Sequence, residues 1–575
     1  MIQKGGEADT AESVKKEKQE RDFMGYDKIK PMLFDCVKGY SVNQLLKDVV
    51  AGIIVAIIAL PLSIALALAS GVGPEEGIYT AIIAGFLISF FGGSRVQIAG
   101  PTAAFATIVA GIVAKDGIDG LMMATVIAGV LLILMGIFHI GNLIKFIPYT
   151  ITTGFTAGIA VTIVMGQLKD FLGLSYPDGV KPVESMEKLE AVIRYISTVN
   201  VWALLVGILC LLVLIVWPKV SEKIPGSLIA VLLGILIVKL GRLPVNTIGD
   251  LYTISNSLPS LHIPHFSMAL VRAEFSDGFT IAILAAIESL LSCVVADGMI
   301  GARHRSNMEL VAQGIGNIGS ALFGGIPATG AIARTAANIK NGGRTPVAGM
   351  VHSIVLVLVL IFLMPYAALI PMPTIAAILF MVAYNMCGWR NCKLLLQKAP
   401  KSDIMVLVAT FALTIVFDLV VAIEFGMLAA CLLFMKRMAD EAKVRGWQYH
   451  EDYAVDPDGT EKREIPEYVR VYECTGPMFF GASGLINGIS FKSFTEVLII
   501  RMRSVPAIDA SAMVAMEGLK DRCEAAGVTI ILSHVNEQPM RMFEHGKYAE
   551  RIGAENFATN FDAALLRAKQ IHEEK

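Results

Sequence analysis

The stretch GGIPATGAIARTA, residues 324–336, sits between Phe323, which closes one apolar run, and a second run that starts at Val347. It holds a proline, small residues around Thr329, and an arginine, Arg334. Glycine and proline break helices, so an unbroken span cannot pass through it. A second stretch of the same make, FFGGSRVQIAGPTAAFATIV, occupies residues 90–109. In each, Phe-Gly-Gly ends a full apolar run, at Phe91-Gly92-Gly93 and at Phe323-Gly324-Gly325. A few extended residues follow, then Pro101 or Pro327, Thr102 or Thr329, and a short helix. Two Gly/Pro-interrupted short segments at corresponding places in two halves of an apolar chain point to the midplane site of a membrane transporter. A helix that begins inside the bilayer leaves its first N–H groups unpaired and aims its positive end at the centre. Two such ends facing each other make a pocket for an anion. The plainer alternative is that these glycines only let helices pack closely.

The whole composition agrees with a membrane protein. Of 575 residues, 55% are hydrophobic and 17% charged, and mean hydropathy is +0.64, too apolar for a soluble globular chain. The 48 basic and 50 acidic residues give a net charge of -2 and gather mostly at the two ends of the chain. No basic face supports nucleic-acid binding. The eight cysteines form no C-x-x-C pair, and several lie in apolar runs, so they read as reduced packing residues. The N-terminus is polar and lacks the apolar region and cleavage site of a signal peptide, so the first span is expected to direct insertion.

From Asp48 to Ala69 the chain carries a charge only at its first position, and a helix of that length covers roughly 33 Å, enough to cross. Comparable runs follow near 76–92, 120–138, 146–166, 200–217, 226–240, 279–300, 308–323, 347–364, 373–386, 403–416 and 419–435. The segments 101–114 and 328–340 are apolar but too short to cross alone. About fourteen helices are expected. Lys219, Lys223, Arg303, Arg305, Lys340, Arg344, the 390–401 cluster, Lys436 and Arg437 fall on one side if the N-terminus is cytoplasmic. Both termini are then cytoplasmic, and the membrane is the plasma (inner) membrane. The reading divides the chain into a cytoplasmic N-terminal segment (1–45), a transmembrane domain (46–437), a charged linker (438–467) and a small α/β domain (468–575). In the last, VRVYEC, EVLIIRMR and VTIILSH read as strands, SAMVAMEGLKDRCEAAG and FDAALLRAKQ as helices.

Charges inside spans need a reason. Glu288 lies near the middle of its span with Ser292 one turn later on the same face. An ionised carboxylate there is costly, so it should be protonated, paired or holding a cation, or tied by a structural hydrogen bond between helices. Asp297, Asp418 and Glu424 read as structural. Arg334 lies more than one turn into the half-helix, and its guanidinium either supplies field for the substrate, pairs with Glu288, or snorkels.

The whole chain resembles the sulfate-permease (SulP) anion transporters, on ALPLSIALALASGVGPEEGIYTA, GGSRVQIAGPTAAF, ESLLSCVVADGMIG and GAIARTAANIKNGGRTPVAG, with VPAIDASAM resembling that family's STAS domain. The resemblance implies fourteen helices in two inverted seven-helix repeats, split between a core and a gate domain, a homodimer, and an elevator-like movement of the core. It places the anion beside Ser63, Leu66, Gly100, Thr102, Ala103, Gly330 and Ala331, with Arg334 matching the tenth-helix arginine. Ala333 stands where animal members have serine, so their chloride selectivity is not carried over. Sodium-coupled bicarbonate members carry Asp and Thr at the positions of Glu288 and Ser292. A buried glutamate fits a proton carrier better than a sodium cage. Sulfate with protons is the expected pairing; bicarbonate with sodium, dicarboxylates with protons, and a channel or exchanger of the same fold stay open. Asp509 and Ser511 stand where helix caps stand, and Ser511 matches the serine that anti-anti-sigma STAS domains phosphorylate. A nucleobase permease would hold an acid on the tenth helix and lack the STAS domain. No metal-spaced histidine cluster, nucleophile dyad or cofactor motif suggests an enzyme or a cofactor.

Overall fold

A computed structural model describes residues 29–141, 148–177, 180, 182, 184–220, 225–262, 267–417, 419–446 and 465–575. Within it the chain forms two units, Met1–Met427 and Leu428–Lys575. Asp418, Lys223 and the polar N-terminal stretch lie outside the described residues.

The apolar runs become helices: α1 (Val42–Ala69), α2 (Pro74–Phe91), then one segment, Ala103–Ile137, that breaks at Gly117 into α3 (103–116) and α4 (118–137). Gly117 adopts φ 69° and ψ -162°, which a side chain resists. Next come α5 (Tyr149–Leu172), α6 (Val201–Val220), α7 (Gly226–Gly241), α8 (Met268–Ile300), α9 (Ser306–Leu322) and α10 (Ile332–Lys340). The series closes with α11 (Val347–Ala367), α12 (Met372–Cys387), α13 (Lys401–Val416) and α14 (Leu419–Glu441). Eight helical segments are long and apolar enough to cross a membrane by themselves among the described residues. The half-length α10 is not one of them.

Helices α1–α4 pack mainly with α8–α11, and α5–α7 mainly with α12 and α13. In the first group the backbones of α4 and α9 touch: a Cβ on Gly129 would lie 2.8 Å from the Gly314 carbonyl oxygen, and one on Gly314 2.4 Å from that of Gly129. Such close approach gives membrane helices contact where burial from water supplies little. At the start of α1, Ser41 caps by accepting from the Gln44 N–H, and the fully buried Asp48 accepts from the Arg344 N–H (2.8 Å) and the Thr345 hydroxyl (2.6 Å). Asp48 thereby anchors the turn that follows α10.

The second unit is a five-stranded sheet, β3 (Lys443–Gly446), β4 (Val469–Thr475), β5 (Val497–Ser504), β6 (Thr529–Ser533) and β7 (Phe557–Ala558), in that order. β3 is antiparallel to β4 and the rest are parallel. Along β5, Val497 and Ile499 face the helix Phe561–Glu574, whereas Leu498 and Ile500 face the helix Ala510–Ala525, the alternation a strand covered on both faces requires. The expected strands and helices are present, with one correction. Part of the region read as linker, Lys443–Gly446, is a strand, because its alternating pattern supplies an edge to β4 that charge content alone hides.

All eight cysteines are free. In the second unit, burial pushes the Cys474 thiol up to about 12 and Cys523 up to about 11. Both should therefore react with maleimide at neutral pH roughly a hundredfold or more slower than an exposed thiol, because the thiolate is the nucleophile. Mass spectrometry after brief labelling, with and without denaturant, checks this.

Candidate functional site

A chain that leaves helical form at membrane depth must find partners for every freed backbone group inside the protein. Between α2 and α3, Gly93 and Ser94 N–H groups donate to Glu309 Oε2 (2.9 and 3.1 Å), and the Gln97 amide donates to Glu309 Oε1 (2.8 Å). The Asn338 amide donates to the Val96 carbonyl (2.9 Å), and the Ile98 N–H donates to Thr335 Oγ1 (3.0 Å). Between α9 and α10, Ile326 N–H donates to Thr80 Oγ1 (2.7 Å), and Ser320 Oγ donates to the Ile326 carbonyl (2.7 Å). Asn317 bonds both the N–H and the carbonyl of Ala328, each at 2.9 Å.

The two supported segments then meet. β1 (Ala99–Gly100) pairs antiparallel with β2 (Thr329–Gly330), with Ala99 opposite Gly330 and Gly100 opposite Thr329. Because the strands are antiparallel, the helices they lead into, α3 and α10, depart in opposite directions with both N-termini at the crossing. Neither start has a side-chain cap. Thr102 stands at the cap of the first turn but sends its hydroxyl to Glu288 Oε2 instead (3.0 Å), and the cap of α10 is Ala331, whose methyl group cannot accept a hydrogen bond. Uncapped first turns keep their donors and their positive end for another occupant.

Arg334 is 1% exposed and reaches across from one half to the other, donating from Nη2 to the Pro101 carbonyl. Its Nε and Nη1 have no hydrogen-bond partner among the described residues. Among the described residues no carboxylate forms an ion pair with it, and the Glu288 carboxylate accepts from Thr102 instead, so the suggested pairing with Glu288 is absent. Its position in the helix also differs from the sequence expectation. Residues 329–330 are extended and α10 starts at Ile332, so Arg334 lies in the first turn, beside the unpaired N–H groups and not beyond them.

The remaining expected residues divide. Ser63 and Leu66 of α1 are buried, and the Ser63 hydroxyl has no partner among the described residues. Ala103 is buried in the first turn of the first half-helix. The N–H groups of Gly330 and Ala331 are already engaged, donating to Ser289 Oγ (3.1 Å) and to the Ile98 carbonyl (2.9 Å). Donors for a ligand on that side therefore come from the residues after them. Glu288 is half-buried and Ser292 is buried, but the Ser292 hydroxyl turns to Thr335 Oγ1 (3.5 Å) and not to Glu288. Asp297 accepts from the His304 backbone (2.8 Å) and ring (2.7 Å), a helix-end role, and Glu424 is exposed. In the second unit Asp509 caps its helix through the Ala512 N–H (2.9 Å) and also accepts from the Phe480 N–H (3.0 Å). Ser511 is half-exposed and does not cap.

Sequence reasoning passed over Glu309, Gln313, Asn317 and Ser320. Their spacing of four, four and three residues puts them on one face of α9, a polar stripe on an apolar helix that is the readable signal. All four are buried.

Gly100 is dictated by Arg334. A Cβ there would lie 2.4 Å from Arg334 Nη1. Gly100→Ala should push the guanidinium from its seat at about 1–3 kcal/mol of overpacking and raise the KM for anion uptake about tenfold, while the chain still inserts and elutes as one species. A wild-type KM in flux assays would contradict the placement.

Models of two known families match this chain: the sulfate permease family over residues 45–410 and the STAS domain over residues 460–564. The Bacillus subtilis (strain 168) protein YvdB, named as a sulfate transporter, is 39% identical over 91% of this chain and 98% of its own length. The bicarbonate transporter BicA of Picosynechococcus sp. is 29% identical over 91% of this chain and 94% of its own. Among solved structures, SLC26A9 superposes with a TM-score of 0.83 at 16% identity over 97% of this chain and 95% of its own, a likeness of fold. The transmembrane domain of a cyanobacterial BicA gives a TM-score of 0.59 at 30% identity over 68% of this chain and 98% of its own.

Proposed function

Because the chain belongs to the sulfate permease family and is an anion transporter of that family, we propose that it takes up sulfate together with protons, binding the anion where α3 and α10 begin. The observation that carries this reading is the pair of uncapped helix starts at the β1–β2 crossing with Arg334 buried across them. Two helix N-termini and a guanidinium that never loses its charge suit a divalent anion. The unpartnered Ser63 hydroxyl adds a neutral donor from α1.

Glu288 supplies the coupling. As a carboxylate bonded to Thr102, it sets a negative charge against the field of the first half-helix. Once protonated it leaves that field to the anion, so proton and anion each favour the other's binding by the same factor. Alternating access follows if α1–α4 with α8–α11 move as a core against α5–α7 with α12–α14 in an elevator movement within a homodimer. The reading places the protein in the plasma membrane with cytoplasmic termini. The half-exposed Ser511 next to the Asp509 cap is where phosphorylation would add charge to a helix start, as a regulatory step.

Sodium-driven bicarbonate uptake is the second reading, favoured by the similarity to BicA. Ser292 turned away from Glu288 weighs against a sodium cage. Counterflow of labelled sulfate, bicarbonate and fumarate in proteoliposomes tests both. Sulfate counterflow with accumulation set by the pH gradient supports the proposal; bicarbonate flux that follows sodium and ignores pH overturns it.

A further inference from the structure

The break at Gly117 brings a second acidic pair together, four turns from Glu288. Asp116 ends α3, and Glu274 lies in the second turn of α8, whose face packs on α3 and α4. A point above Gly120 lies 2.5 Å from Asp116 Cβ and 3.5 Å from Glu274 Oε1, and the two carboxyl groups are within hydrogen-bonding reach. Glu274 is 0% exposed, and neither of its oxygens has a donor among the described residues. Two ionised carboxylates cannot bond one another, because both only accept. A buried carboxylate left without a donor costs several kcal/mol. The charged groups that bear on Glu274 are Asp116 and Lys115 from the break and Asp277 from the next turn of α8. Lys115 Nζ stands 2.8 Å from Asp116 Oδ2 and fixes Asp116 as the charged partner. Among the described residues no cluster of three or more His, Cys, Asp or Glu side chains suited to a metal occurs.

We infer that Glu274 and Asp116 share one proton, forming a proton-binding site separate from Glu288, on the membrane face opposite the start of α1. Binding takes one proton from the solvent on that side and leaves the pair with one negative charge in place of two. Fully buried apolar residues of α8, Ile281 and Ala285, stand between the two acids. The site is thus set apart from Glu288, and its role is to tune anion entry from outside. This sidedness rests on the orientation proposed above, whereas the shared proton does not.

The test uses the full-length protein in proteoliposomes, as wild type, E274Q, D116N and E288Q. In pH-difference infrared spectra a protonated-carboxyl C=O band is expected that persists in E288Q, where the Glu288 signal is gone, and is lost from E274Q, which keeps only the Glu288 signal. In D116N the amide gives Glu274 a donor, so its ionised form is favoured and the band moves to more acid pH. A band unchanged in both E274Q and D116N overturns the shared proton. With the inside pH clamped, sulfate counterflow by E288Q, in which residue 288 no longer answers to pH, should rise about two- to fivefold as the outside is acidified, the size of effect one screened charge exerts. The double variant E288Q/E274Q should stay at the high rate throughout. An outside-pH profile of the double variant identical to that of E288Q overturns the tuning role. If sulfate is not carried at all, the flux arm fails in every variant while the infrared arm still decides.

Discussion

Arg334→Gln should weaken sulfate uptake roughly ten- to hundredfold in KM, because a hydrogen bond to a charged group contributes about 1.5–3 kcal/mol and every 1.4 kcal/mol is tenfold. Glutamine is shorter and gives up the bond to the Pro101 carbonyl, but the β1–β2 crossing is paired through its own backbone, so it should hold and the chain should still fold. Arg334→Lys separates charge from shape. Lysine restores the charge but presents a single point in place of a planar fork, so it should recover part of the affinity only. Transport kinetics on protein of matched elution profile check the series. If Arg334 served the fold alone, both variants would lose protein and leave the KM of the remainder unchanged.

Glu288→Gln should uncouple uptake. The Thr102 hydroxyl can still donate to the amide oxygen, so the geometry at the first half-helix is retained. What is lost is a group that takes and releases a proton. Counterflow of labelled sulfate should therefore persist within a few-fold of wild type, while accumulation driven by an inward proton gradient should fall to the equilibrium level. The sign of the pH effect follows from charge. In wild type an acid outside fills Glu288 with a proton, removes a negative charge from the anion's field and raises uptake; in Glu288→Gln the charge is absent at every pH. Accumulation that stays fully pH-driven in this variant would assign the coupling proton elsewhere.

The long spans were legible because about twenty apolar residues in a row have few other places to be. The matched half-helices were legible for a related reason: Phe-Gly-Gly, proline and threonine recur in one order at 91–102 and 323–329, and chance seldom repeats such an order across two halves. Partnerships were less readable. Nothing in the spacing of Arg334 says that it reaches the Pro101 carbonyl, because that contact joins residues 233 apart. The start of α10 is set by the same kind of distant contact: Thr329 and Gly330 are drawn straight by pairing with Gly100 and Ala99. The stripe from Glu309 to Ser320 is readable from its helical period, which puts all four polar residues on one face. Here they bond the backbone that the half-helices leave behind. The strand at Lys443–Gly446 was masked by its charges, since an edge strand exposes one face and tolerates them.

Equilibrium binding of labelled sulfate to the purified full-length protein tests the anion site most directly. Wild type should bind saturably and more tightly at acid pH, Glu288→Gln should bind without pH dependence, and Arg334→Gln should bind at least tenfold more weakly. Equal affinity in wild type and Arg334→Gln would contradict an anion site at the crossing of the two half-helices.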